Sequence, residues 1–131
     1  MTDERWLAIG LDLRLLTTGE GGRRTPVRLD IPFQYRPNWG LVGMPDREQV
    51  GAPVFCASTV EVTPGSSARA VIIPLFEGSL PQWRSVRVGD ELRMYEGSRI
   101  CGLGAVQWVE PARLPLPPDD DARFRVWTQQ G

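Results

Sequence analysis

Two arginines in a glycine-rich turn, and a glutamate and an arginine flanking a second turn, are the residues of this 131-residue chain best suited to chemistry. The first stretch is Glu20-Gly21-Gly22-Arg23-Arg24-Thr25-Pro26. The second is Glu96-Gly97-Ser98-Arg99-Ile100-Cys101-Gly102-Leu103-Gly104-Ala105-Val106. Guanidinium groups on short turns offer fixed positive charge and a fork of N–H donors to phosphate or carboxylate. That is binding chemistry, and covalent chemistry has little to work with. There is no histidine, and all 15 basic residues are arginines. Without histidine there is neither a Ser-His-Asp nor a Cys-His pair, and zinc loses its commonest nitrogen ligand. Without lysine there is no phosphate-loop lysine and no Schiff-base nucleophile. The missing lysine itself reads as base composition favouring arginine codons.

The remaining titratable groups point the same way. Asp90-Glu91 is a carboxylate pair, but adjacent residues of an extended chain face opposite sides and these two sit at a turn. Asp119-Asp120-Asp121 lacks the ligand spacing and the glycine of a calcium loop. Cys56 and Cys101 lie far apart in sequence and read as reduced core thiols. The expectation is a non-enzyme with no cofactor, no metal and no bound nucleotide. Net charge is −1, so no global field draws the protein onto nucleic acid, and a basic patch would have to be local. No apolar run approaches the roughly 18 residues of a membrane span. Met1-Thr2-Asp3-Glu4 opens on acids rather than on a signal peptide's basic start. A soluble, cytoplasmic protein is expected.

The elements that must position these residues read as strands. Leu7, Ile9, Leu11, Leu13 and Leu15 alternate with Ala8, Gly10, Asp12, Arg14 and Leu16, which predicts a strand with one apolar face. Val27 to Ile31 alternates again, with Phe33 and Tyr35 extending the pattern past Pro32. Arg36 to Gly40 reads as a turn, Gly43 to Pro53 as a surface loop and Phe76 to Arg84 as another. Val54 to Ala57, Thr59 to Thr63, Ala68 to Leu75, Leu92 to Tyr95 and Ile100 to Val109 read as strands. Gly97-Ser98 closes a hairpin between the last two. Gly102 and Gly104 share one face of a strand, which suggests a bend or a close backbone approach. Turns recur at short spacing and no ten-residue stretch reads as helix, so an all-β sandwich or barrel is expected. Residues 1–112 form the expected barrel domain. Residues 113–131 form a proline-rich acidic C-terminal tail, with a flexible tail and a docked apolar terminus equally open.

The chain from Trp6 to Glu110 resembles the third, C-terminal β-barrel domain of elongation factor Tu and related translational GTPases. Glu20 to Pro26 is similar to the family's E-G-G-R-H-T-P. Thr63-Pro64-Gly65, with Ala70-Val71-Ile72 after it, is similar to the family's M-P-G turn and following apolar strand. Glu96 to Val106 is similar to E-G-G-R-T-V-G-A-G-V-V. Tyr35-Arg36-Pro37 is similar to a family Y-R-P but falls four residues late relative to Thr25-Pro26, which marks either an insertion or a coincidental match. The resemblance implies a closed six-stranded antiparallel Greek-key barrel. It also implies contacts to the T stem of aminoacyl-tRNA, to a second barrel and to an exchange factor. Carried over by position, the contact residues are Arg23, Arg24, Glu96 and Gly97, with Arg99 beside them; Arg24 replaces the family's usual histidine. The GTPase domain and the second barrel have no counterpart in the sequence. The function expected is therefore a non-catalytic macromolecule-binding module, with a protein partner first and tRNA or rRNA, held by Arg23-Arg24, as the alternative. Trp39 and Trp83, in predicted loops, are expected as interface anchors.

Overall fold

The computed structural model describes residues 6–42, 49–74 and 81–130. Along the chain run β1 (Trp6–Leu15), β2 (Val27–Arg28), β3 (Asn38–Leu41), β4 (Val50–Gly51), β5 (Val54–Ala57), β6 (Glu61–Val62), β7 (Ser67–Ile72), β8 (Glu91–Glu96), β9 (Arg99–Ala112) and α1 (Pro118–Gln129). Short 3-10 turns stand at Thr18–Glu20 and Pro81–Ser85. Seven strands make one antiparallel sheet in the order β4-β3-β8-β9-β1-β7-β5, curled into a half-barrel, and β2 pairs with β6 as a separate ribbon.

The inner face of the half-barrel is built where the alternation of β1 predicts it. Leu7, Ile9, Leu11, Leu13 and Leu15 all belong to the main core. Across the β1–β9 ladder, Leu13 stands opposite Gly104 and Leu15 opposite Gly102. A Cβ on Gly104 would lie 3.0 Å from Leu11 Cδ1 and 3.3 Å from the Trp39 ring. The paired glycines therefore mark a close approach, in which leucine and indole side chains occupy the space that β9 leaves empty. Two bulges help to curl the sheet. Gln107 is the extra residue where β1 shifts register between Gly10 and Leu11, and Cys101 is the extra residue where β8 shifts between Met94 and Tyr95. Bulges of this kind bend a strand and increase its local twist.

The closed six-stranded barrel is corrected to an open half-barrel, for a local reason. The edge strands β4 and β5 do not pair with each other. β4 is two residues long, and Pro53, between the two strands, has no N–H to donate. The outer edge of β5 is taken instead by the turn before β3: Phe33 N–H donates to the Val54 carbonyl (2.9 Å) and Val54 N–H to the Tyr35 carbonyl (3.0 Å). The β2–β6 ribbon contributes Val27, Leu29 and Val62 to the same core.

Several boundaries also move. The run expected as one strand through Tyr35 stops at Arg28, because Phe33 adopts a positive φ of 64° and turns the chain. Arg36 to Gly40, expected as a turn, leads into β3. Residues 43–48 and 76–80 of the two predicted loops, and residue 75 at the end of the predicted strand before the second, lie outside the described residues.

The C-terminal segment docks, and it does so as a helix that the alternation pattern gave no sign of. Pro118 opens α1 at a position where a missing N–H costs nothing, and Asp119, Asp120 and Asp121 sit in its first turn, where negative charge favours the helix N-terminus. Phe124 and Thr128 are its buried residues. Phe124 joins Ala8, Phe55, Cys56, Val71, Ile73 and Ala112 in a second core on the outer face of the sheet. There the Trp108 ring stacks on Phe124 (5.1 Å, 27°) and meets Trp127 edge-on (5.4 Å). Arg69 donates to the Trp127 carbonyl (3.1 Å) and lies over its ring.

Gly10 lies directly beneath the Trp108 indole, where a Cβ would overlap the ring. The ring is held by Phe124 and Trp127 and has little room to yield. Gly10→Ala is predicted to destabilise the protein by about 1–3 kcal/mol, as overpacking of a filled site does. Gly19→Ala is the control: the nearest atom to its Cβ is 3.9 Å away. Urea unfolding of both variants checks this; equal midpoints would contradict it.

Candidate functional site

The Gly21–Pro26 turn is assembled at the end of β1. Thr17 and Glu20 form a reciprocal cap, with Glu20 N–H on Thr17 Oγ1 (3.1 Å) and Thr17 N–H on Glu20 Oε1 (2.9 Å). Arg14 adds a hydrogen bond to the same carboxylate (3.2 Å). Backbone and side-chain hydrogen bonds from Thr17, and the Arg14 guanidinium, hold the Glu20 carboxyl below its ordinary value. Gly21 adopts a φ of 94°, and Gly22 packs so closely on the Leu16 carbonyl that a Cβ would collide with it. Glu20, Gly21 and Gly22 thus each have a structural task before any binding role.

Arg23 then reaches across to the β8–β9 hairpin. Its guanidinium pairs with the Glu96 carboxylate, and it donates as well to the Thr25 carbonyl (3.1 Å), Thr25 Oγ1 (3.1 Å) and the Pro26 carbonyl (3.3 Å). The Tyr35 hydroxyl donates to the same Glu96 oxygen (2.7 Å). Partial burial acts to raise the Glu96 carboxyl, but the Tyr35 hydroxyl and the Arg23 guanidinium outweigh it, and the net displacement is downward. Burial, with the nearby Glu96 charge, pushes the Tyr35 phenol upward. Gly97, at φ 65°, begins the two-residue turn that sets Arg99 directly opposite Glu96.

All three motif segments meet at this end of the half-barrel. Leu15 N–H donates to the Ser66 carbonyl (3.0 Å), Gly65 N–H to the Leu15 carbonyl (3.0 Å) and Leu16 N–H to the Cys101 carbonyl (2.9 Å). The structure therefore brings together Arg23, Glu96 and Gly97, and sets Arg24 and Arg99 exposed beside them. Tyr35 joins the site, and Tyr35-Arg36-Pro37 was the signal for it. Over residues 23–36 and 96–99 there are five arginines (Arg23, Arg24, Arg28, Arg36 and Arg99) against two carboxylates, Asp30 and Glu96. Arg28 pairs with Asp30 (2.9 Å). Neither Arg24 nor Arg99 forms an ion pair with another described residue.

The two expected interface anchors are corrected. Trp39 lies in β3, fully buried, with its indole N–H on the Ala52 carbonyl (3.0 Å). Trp83 lies in the 3-10 turn Pro81–Ser85 and is also fully buried in the main core. Neither ring offers a surface to a partner; the half-buried indoles are Trp6, Trp108 and Trp127. Cys56 and Cys101 are free, buried thiols, and burial pushes Cys56 up to about 12. No helix among the described residues is long and apolar enough to cross a membrane.

No protein-family model matches the chain, and no characterised protein matches it in sequence.

Because the Glu96 carboxyl titrates below its unfolded value, its ionised form stabilises the fold at pH values above the ordinary 4.5, and that contribution is lost as pH falls through the lowered folded-state value. Glu96→Gln is predicted to cost about 1 kcal/mol at neutral pH. The gap between variant and wild type should narrow as pH falls below the ordinary carboxyl range. Urea midpoints measured across that range check this; a gap that does not change with pH would contradict it.

Proposed function

We propose that this protein is a non-catalytic binding module, that it works through the arginine-rich rim formed by the Gly21–Pro26 turn and the Glu96–Arg99 hairpin, and that its partner is a protein. The observation that carries this reading is the charge imbalance of the rim. Glu96 and Asp30 hold one arginine each, and Arg24 and Arg99 remain exposed with no carboxylate of their own among the described residues. Exposed guanidinium groups on well-held turns suit an acidic surface, where they speed encounter and set orientation. The likeness of both turns to the third domain of elongation factor Tu adds support, and it directs the search to the cytoplasm and to the translation apparatus.

A second reading, an accessory protein for tRNA or rRNA, draws on the same residues. Arginine meets phosphate as readily as carboxylate, and Arg23-Arg24 occupies the turn that touches RNA in the family resembled.

The test is charge reversal at the two exposed positions. Arg24→Glu with Arg99→Glu is predicted to leave the melting temperature nearly unchanged, since both side chains are exposed. It should reduce capture of a specific protein from native lysate by about tenfold or more. A parallel gel shift with bulk tRNA at low salt separates the second reading, because phosphate contacts weaken steeply with added salt. Failure of the wild type to retain any protein or to shift tRNA would overturn both readings, as would retention unchanged by the charge reversal.

A further inference from the structure

The β2–β6 ribbon is only two strands wide, so neither sheet pairs with the outer edge of either strand, and the outer edge of β2 opens on the rim. Leu29 N–H donates to the Val60 carbonyl (2.7 Å), and the register pairs Val27 with Val62 and Arg28 with Glu61. In an antiparallel ladder the hydrogen-bonded and non-hydrogen-bonded pairs alternate. Leu29 and Val27 therefore turn their backbone groups toward β6, and Arg28 turns both its N–H and its carbonyl away from it. The flanking outward carbonyl, that of Pro26, already accepts from Arg23.

On this outer side lies a groove of about 500 Å³ lined by residues of β2 and of the turns before and after it, and by no residue of β6. Arg23, Arg28 and Asp30 are its charged groups, Gln34 and Tyr35 its other polar ones, and Pro26 and the exposed Ile31 an apolar wall. Ile31 is 53% exposed, a large aliphatic side chain left beside an open strand edge. Exposed edges normally carry devices that discourage pairing. Here Arg28 and Asp30 neutralise each other, so the bare edge lies next to a rim whose surplus charge is positive.

Building on the rim reading above, we propose that β2 takes an extended acidic segment of the partner protein as an added strand. Backbone groups at Arg28 supply the main-chain hydrogen bonds. Acidic side chains on one face of the incoming strand meet the rim arginines, and apolar ones on the other face cover Ile31. Strand addition of this kind draws affinity from main-chain pairing and specificity from alternate side chains. The complementarity of charge selects an acidic segment, and the outward N–H and carbonyl select an extended backbone.

The probe is a short fluorescein-labelled peptide alternating Glu and Val, measured by anisotropy at low salt against its Lys-Val counterpart and against bulk tRNA. The Glu-Val peptide should bind and the Lys-Val peptide should not. N-methylation of the peptide amides along one edge should weaken binding about tenfold, the scale of one lost hydrogen bond to a desolvated group. Saturating peptide should slow hydrogen exchange at the Arg28 amide by a similar factor. Arg28→Pro, which removes the outward N–H at an edge position where proline is tolerated, should bind about tenfold more weakly than Arg28→Ala. If Arg28→Pro does not fold, the N-methylated peptide and the exchange measurement decide alone. Binding that is lost in Arg24→Glu/Arg99→Glu but indifferent to N-methylation and to Arg28 exchange would overturn strand addition and leave the rim reading standing. Binding of tRNA without the Glu-Val peptide would overturn the acidic-peptide partner. Binding of neither, with no protein retained from lysate, would overturn the rim reading as well.

Discussion

Leucine side chains of β1 fill space that the glycines of β9 leave open, and the rest of the molecule depends on that contact. Leu11 packs over Gly104, and Leu13 and Leu15 over Gly102, close enough that a methyl group on either glycine would crowd its neighbours. Each aliphatic side chain buried in this way is worth about 1.5–3 kcal/mol. Five of them in a row on β1 rival the whole net stability of a small domain, about 5–15 kcal/mol. The same arithmetic fixes the register. A slip of one residue would turn Asp12 and Arg14 inward and the leucines out to solvent. With register fixed, the end of β1 and the starts of β7 and β9 lie together, and the three glycine turns converge.

The outer face follows a different logic. Next to β5, β7 and β1 it is covered by α1 through Phe124, Trp127 and the Trp108 ring seated over Gly10. Along β8 and the middle of β9 it carries Glu91, Arg93, Ala105 and Gln107, half-buried or exposed. One sheet therefore serves two cores on one side of the molecule and a single core on the other. The ion pairs of α1, Arg123 with Glu110 and Asp120 and Arg125 with Asp121, lie at the surface and add little beside the buried rings.

Much of this was legible in the chain. Strict alternation over Leu7 to Leu15 gave β1 and its core face, because a period of two has one structural meaning when it is sustained. The turns at Gly21, Gly65 and Gly97 were legible because a positive φ favours glycine so strongly. The helix was not. Its buried side chains are few, so no apolar stripe announces it, and the acids that favour its N-terminus read equally well as a repelling run. Trp39 and Trp83 misled because their flanking Pro, Asn and Ser residues suggest loops, whereas tertiary packing drew both rings inward. The site was half legible. The motif residues were visible singly, but that Arg23 would close on Glu96 with Tyr35 as third partner depends on a contact between segments far apart in sequence.

That contact joins the two turns into one rim. Buried more deeply, such a pair would spend most of its attraction on desolvation; fully exposed, it would be screened. With side chains 23% and 27% exposed it lies between these limits, and the Tyr35 hydroxyl adds a third hydrogen-bonding partner. The most direct measurement of whether the rim is one unit is a double-mutant cycle on Arg23→Ala and Glu96→Ala by chemical denaturation. A coupling of about 1 kcal/mol is expected. Losses that add to within about 0.3 kcal/mol would show that the two turns are energetically independent, and the account of a single binding rim would fail.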